Sequence, residues 1–166
     1  MAEHLITRYL RMLEPEGWTY QEVPGSGPPW WKAGCRTRRS KIEVFLCLND
    51  DCLAVQAPVP VSLAGPCQRA LWCYLLRLNN EIRLAKFTLD SADQIYLSAE
   101  VPLSAANHPS FGDLKAVLTA VRTYFEQFHR EIGLLAANRT LAEVWLSLLP
   151  QAEELPIEIL SGHENN

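Results

Sequence analysis

The residue types that could carry out chemistry in this chain are its histidines, cysteines and carboxylates, and their spacing favours no reaction. No histidine lies three or four positions from another histidine or from a cysteine, whereas a zinc site needs four converging ligands. Acidic pairs such as Asp50-Asp51 fall in turns, where Asp serves backbone geometry. The sequence therefore predicts no metal site, no cofactor and no catalytic residue. A cysteine–histidine pair that only folding brings together stays open as an alternative.

One segment combines large aromatic and basic side chains. Residues 32–41 hold five basic residues and no acid, and two tryptophans precede them. Tryptophan and arginine are favoured at the centres of protein interfaces. The candidate partner-binding residues are therefore Trp30, Trp31, Arg36, Arg38 and Arg39.

The same segment allows two other interpretations. Aromatic and basic side chains also bind single-stranded nucleic acid, by stacking and by charge. This alternative would use Trp30, Trp31 and residues 36–41, although a net charge of −4 counts against it. In the second interpretation the tryptophans only cover the core. Neighbouring side chains of an extended backbone point in opposite directions, so at least one tryptophan should be exposed or covered by another chain.

Composition and charge limit the class of protein. Of the 166 residues, 48% are hydrophobic and 20% are charged, which is typical of one globular domain. We assign the domain to residues 1–150 and expect residues 151–166, which are acidic and lack Lys and Arg, to form a flexible tail. The chain shows no signal peptide and no membrane span, and its odd number of cysteines fits free thiols. These features predict a cytoplasmic protein.

Hydrophobic periodicity predicts an α+β sandwich with the order α-β-β-β-α-β-β-α and an added C-terminal helix. Residues 24–34 are too rich in proline and glycine for a regular element. Pro58 and Pro60 predict that the strand at residues 52–61 is an edge strand or ends there. The result is a mostly antiparallel sheet of five strands, with strands at residues 18–23, 41–48, 52–61, 83–89 and 94–101. Predicted core residues are Leu75, Phe87, Leu89, Leu97, Leu118 and Phe125.

The run from Leu75 to Leu103 resembles a known family. Its text LLRLN, then LAKFTLD, then IYL and VPL, resembles the YbjN family, which is similar in fold to the type III secretion chaperones. The resemblance implies a small sandwich that pairs into homodimers and binds other proteins or regulates them, and it brings no catalytic residues. The sequence thus predicts a non-enzymatic, protein-binding domain, chaperone-like or regulatory, that acts as a homodimer on a protein partner yet to be identified.

Overall fold

The structure is a computed structural model that describes residues 2–25, 27–37, 40–62, 67–103 and 108–149. The predicted acidic tail lies outside the described residues. A short 3-10 turn at Glu14–Glu16 follows the first helix. The α-helices and strands, in chain order, are α1 (Ala2–Met12), β1 (Trp18–Val23), β2 (Trp30–Arg36), β3 (Lys41–Leu48), β4 (Cys52–Ser62), α2 (Gln68–Glu81), β5 (Lys86–Leu89), β6 (Gln94–Pro102), α3 (Phe111–Ala137) and α4 (Arg139–Ser147).

The strands form one antiparallel sheet of six strands in the order β1-β2-β3-β4-β6-β5. The α+β class is confirmed, but the predicted count of five strands is wrong. The missing strand is β2, which begins at Trp30, directly after the prolines of residues 24–34. Pro24, Pro28 and Pro29 precede the strand, and the predicted loop of residues 24–34 included most of β2.

β4 is a central strand, so its predicted edge position is wrong. It pairs with β6 from Cys52 to Ser62, and its register with that strand shifts between Pro58 and Ser62. Its pairing with β3 covers only residues 53–56. Pro58 and Pro60 lie beyond the part of β4 that pairs with β3, and among the described strands only β6 is beside them. Because β3 does not pair with β4 there, a proline that lacks an N–H removes no hydrogen bond toward β3.

The described helices cover one face of the sheet, and none of them covers the other face, which is called the open face below. In β3, Ile42, Val44 and Leu46 are buried, while the residues between them face the open side. α3 packs on β4 and β6, α1 packs on β1, and α2 packs on β5. Of the six predicted core residues, Leu75, Phe87, Leu97, Leu118 and Phe125 are buried, and Leu89 is partly buried against the core.

Polar side chains define the ends of the helices. The hydroxyl of Ser110, at the start of α3, accepts a hydrogen bond of 3.0 Å from the backbone N–H of Asp113. Asn138 separates α3 from α4 and accepts a hydrogen bond from the N–H of Leu141. Across the described ranges, no helix combines the length and the apolar character that a membrane span requires.

Candidate partner-binding surface

β2 determines where the candidate residues point. Trp31 is 1% exposed and faces the helices, whereas Trp30 is 40% exposed and faces the open side of the sheet. This is the alternation that an extended backbone imposes. One tryptophan of the pair is therefore exposed, as predicted.

Trp31 belongs to the core. Its indole N–H donates a hydrogen bond of 3.1 Å to the hydroxyl of Thr7 on α1, and that hydroxyl donates one of 2.6 Å to the carboxylate of Glu22 on β1. Trp31 and Glu22 are themselves register partners. These contacts attach α1 to the sheet, so Trp31 stabilises the fold. Of the two neighbouring tryptophans, Trp30 is the one exposed at the surface.

Trp30 lies in an apolar row across the open face. Its register partners are Val23 on β1 and Cys47 on β3, and Cys47 in turn pairs with Ala54 on β4. Val23 is exposed, and Cys47 and Ala54 are partly buried. A partner segment that crossed these strands would thus meet a continuous apolar strip with an indole ring at its centre.

Arg36 lies at the opposite end of β2 from Trp30. The two residues are six positions apart on an extended strand, which corresponds to a distance of about 20 Å between their backbones. Arg36 lines a depression of about 410 Å³ together with Thr37, Arg122 and Glu126. The two ends of the predicted site are therefore not in contact. Strand alternation puts Arg36 on the same face as Trp30, but the depression that it lines is shared with α3, a helix of the covered face.

Arg38 and Arg39, the other two predicted residues, lie outside the described residues. The residues on either side of them close the β2–β3 hairpin, because the N–H of Thr37 donates a hydrogen bond of 2.8 Å to the carbonyl of Ser40. The structure thus places Trp30 and Arg36 on one sheet face and places Trp31 beneath it.

A second depression, of about 290 Å³, lies on the open face between Trp30 and Arg36. Gly34 lies in it, directly between Thr19 on β1 and Glu43 on β3. Lys32 and Lys41 also line it, with ammonium nitrogens 3.1 and 3.5 Å from the carboxylate of Glu43. The sequence does not predict this feature, because Gly34 falls in a segment predicted to be a loop. A loop has no strand register that would place Gly34 beside Glu43.

Charge in this depression is partly compensated. The hydrogen bond from Lys32, and the nearby charge of Lys41, lower the pKa of Glu43, which therefore stays ionised. The ammonium group of Lys32 also lies 5.8 Å from the centre of the Phe45 ring. The depression is consequently a charged site with an excess of cations.

Among the described residues, the surroundings of two cysteines and two histidines bear on their reactivity. Burial raises the pKa of the thiols of Cys47 and Cys52, which disfavours the reactive thiolate. Ring nitrogens of His108 and His129 lie 3.1 and 2.7 Å from backbone carbonyls of Pro109 and Phe125. Within the described ranges, no three His, Cys, Asp or Glu side chains are placed to hold a metal ion.

The outer side of α2 carries a separate apolar surface. Trp72 is 43% exposed and Leu76, one turn later, is 59% exposed. The opposite side of the helix is buried, through Leu71, Tyr74 and Leu78. α2 is therefore apolar on two sides, and among the described residues only one of these sides is covered.

Comparison with known proteins agrees with the resemblance drawn from the sequence. Residues 10–134 match the model of the YbjN family, whose description is "Putative bacterial sensory transduction regulator". The match extends from α1 almost to the end of α3 and covers well over half of the chain. The curated proteins gave no match.

Proposed function

Because the chain belongs to the YbjN family, we propose that it is a non-enzymatic regulatory domain that binds a segment of another protein on the open face of its sheet. The observation that carries this proposal is the exposure of Trp30 on that face, in a row with Val23 and Cys47. A large indole exposed beside other apolar groups is typical of an interface residue.

The basic residues of the same hairpin support an acidic partner. Arg36 lies on the open face, and the sequence adds Arg38 and Arg39 to the hairpin that follows it. Charge of this kind steers an acidic segment toward the surface and fixes its orientation. A chaperone-like role, in which the cytoplasmic domain holds an extended segment of its partner, fits the same surface.

We also propose that two copies of the chain pair through the outer side of α2. Trp72 and Leu76 form an apolar surface that no other part of the described chain covers. A stable symmetric pair would bury more than about 1,000 Å² in total. The wild-type chain should therefore sediment as a dimer at tens of micromolar, and the double variant Trp72→Glu/Leu76→Glu as a folded monomer. A monomeric wild-type chain at that concentration would contradict the pairing.

Affinity capture with quantitative mass spectrometry tests the binding role. The immobilised wild-type chain, Trp30→Ala and Thr88→Val are compared; Thr88 lies on β5, at the other edge of the sheet. We expect the Thr88 variant to retain the proteins captured by the wild type and the Trp30 variant to lose them. Retention by Trp30→Ala would move the function away from this surface.

The same capture separates protein binding from the nucleic-acid alternative. Binding to phosphates weakens steeply as salt rises, whereas apolar docking does not. Capture that survives nuclease treatment and high salt supports a protein partner. Recovery of single-stranded nucleic acid, lost at high salt and dependent on Trp30, would favour the alternative instead.

A further inference from the structure

Gly34 lies in the depression, in the interior of β2, where its carbonyl accepts a hydrogen bond of 3.2 Å from the hydroxyl of Thr19. Glycine weakens a strand interior, and it usually occurs there because a ligand or another chain comes close to the backbone. A methyl group added at Gly34 would lie 3.4 Å from the carbonyl oxygen of Ile42 and 3.5 Å from the hydroxyl of Thr19, which is ordinary contact. The chain's own packing therefore admits a Cβ atom at this position.

The groups around the depression are suited to an anion. Lys32 and Lys41 provide two cations in its lining, against the one carboxylate of Glu43. Thr19 and Gln21 add a hydroxyl and an amide to the lining. The pairs between Glu43 and the lysines are exposed, and exposed ion pairs contribute little free energy, so an incoming carboxylate can replace Glu43 in them.

We propose that the depression receives an aspartate or glutamate side chain of the partner segment, which takes over Lys32 and Lys41 from Glu43. This inference rests on the proposed function and specifies how the same surface recognises its partner. Trp30 and Gly34 are four residues apart on β2, which corresponds to about 13 Å. An extended segment lying along β2 therefore places an apolar residue on Trp30 and an acidic residue, four positions away, over Gly34.

Synthetic decapeptides provide the probe. In the first pool, leucine is followed four positions later by glutamate, with Ser, Ala, Thr and Gly elsewhere. A second pool carries glutamine in place of the glutamate, a third carries lysine, and a single-stranded oligo-dT is the fourth ligand. Binding is followed by amide chemical shifts of the full-length labelled chain.

We expect the glutamate pool to shift the amides of Thr19, Lys32 and Gly34 and to bind about two- to fivefold more tightly than the glutamine pool, the effect of an exposed charge pair. Gly34→Val, which fills the depression, should weaken binding by about the same factor. Glu43→Gln should strengthen it, because the competing carboxylate is gone.

Matched variants keep the test decisive. Thr88→Val is the control for Gly34→Val, because it introduces valine at the far edge of the sheet. Arg69→Gln is the control for the lysine variants, because it removes a cation from the exposed surface of α2. Both control variants should bind the glutamate pool as the wild type does. If Gly34→Val does not fold, Lys32→Gln/Lys41→Gln should show the same loss.

Several results would overturn the inference. The glutamate and glutamine pools could bind equally, or no pool could bind at millimolar concentration. The lysine pool could bind more tightly than the glutamate pool and lose affinity for the Glu43→Gln variant. Oligo-dT could also bind more tightly than the glutamate pool. If one of these results is obtained while a protein is still captured through Trp30, the proposed function is supported and only the role of the depression is contradicted.

Discussion

Trp30 and Trp31 are neighbours in sequence and differ in environment because β2 alternates between the core and the open face. Trp31 is buried and hydrogen-bonded to Thr7, so its removal leaves a cavity and also takes away a polar contact. Trp30 is exposed, and its removal leaves no cavity.

The two substitutions should therefore separate stability from binding. Trp31→Ala should lower the free energy of unfolding by about 3–5 kcal/mol. Trp30→Ala should change it by less than about 1 kcal/mol and should reduce only partner capture. Urea unfolding of the two variants measures the difference, and equal losses would contradict the assignment of Trp31 to the core and Trp30 to the surface.

Sequence reasoning at this scale identified side-chain chemistry better than side-chain position. It singled out Trp30 and Arg36 from their types and recognised that the two tryptophans must diverge. It could not identify the depression at Gly34, because that feature depends on Thr19, Lys32 and Glu43 meeting across three strands. A register of this kind exists only once β2 is recognised as a strand.

Among the elements, β5 depends on a side chain of α2. Asn79 donates a hydrogen bond of 2.9 Å to the carbonyl of Phe87 and accepts one of 2.7 Å from its N–H. The Asn79 amide thus pairs with the outer edge of β5 as a neighbouring strand would.

Loss of this pairing should destabilise the fold. Asn79→Ala leaves the two backbone groups of Phe87 without these partners and should cost about 1–3 kcal/mol. Asn80→Ala, at the adjacent exposed position, is the control and should cost much less. Chemical denaturation distinguishes the variants, and similar midpoints for both would show that the Asn79 contacts add little.

The β5–β6 turn should make stability depend on pH. Hydrogen bonds from the N–H groups of Gln94 and Ala92 lower the pKa of Asp90 from its ordinary value of 3.8. A lowered pKa in the folded state stabilises the fold above pH 3.8, and this contribution disappears as the pH falls below that value.

Asp90→Asn should therefore reduce the difference between the unfolding midpoints at pH 7 and pH 3. Asp93→Asn removes a carboxylate from the same turn and serves as the control. A reduction as large in the control would contradict the role given to Asp90.

The elements also show why part of the fold could be predicted and part could not. In β3, an aliphatic residue recurs at every second position from Ile42 to Leu48, and the sequence predicts the same bounds that the structure shows. β2 contains Ala33, Gly34 and Cys35, which are small, and it follows a proline-rich connection. Its strand conformation comes from pairing with β1 and β3, and such tertiary pairing leaves little local signal.

In the whole molecule, the two proposed surfaces belong to different layers. Trp72 and Leu76 lie on a helix of the layer that covers one face of the sheet, and Trp30 lies on the opposite face. Pairing through α2 would leave the open face of each copy accessible. The two interactions should therefore be independent, with one partner segment bound per chain.

The monomeric variant provides the check. Trp72→Glu/Leu76→Glu should capture the same proteins as the wild type, with an affinity within about threefold, because independent sites show small coupling. Loss of capture in a variant that stays folded would mean that the partner binds across both copies or on α2 itself.

Site-specific photo-crosslinking in living cells tests the central claim, that the open face around Trp30 is the binding surface, most directly. A benzophenone amino acid replaces Trp30 in one full-length chain and Thr88 in another, so that two exposed positions on the same sheet face are compared. We predict a discrete adduct with another protein from position 30, joined through a segment that contains acidic residues, and none from position 88. Equal adducts from both positions, or adducts from position 30 only with a second copy of the chain, would contradict the account.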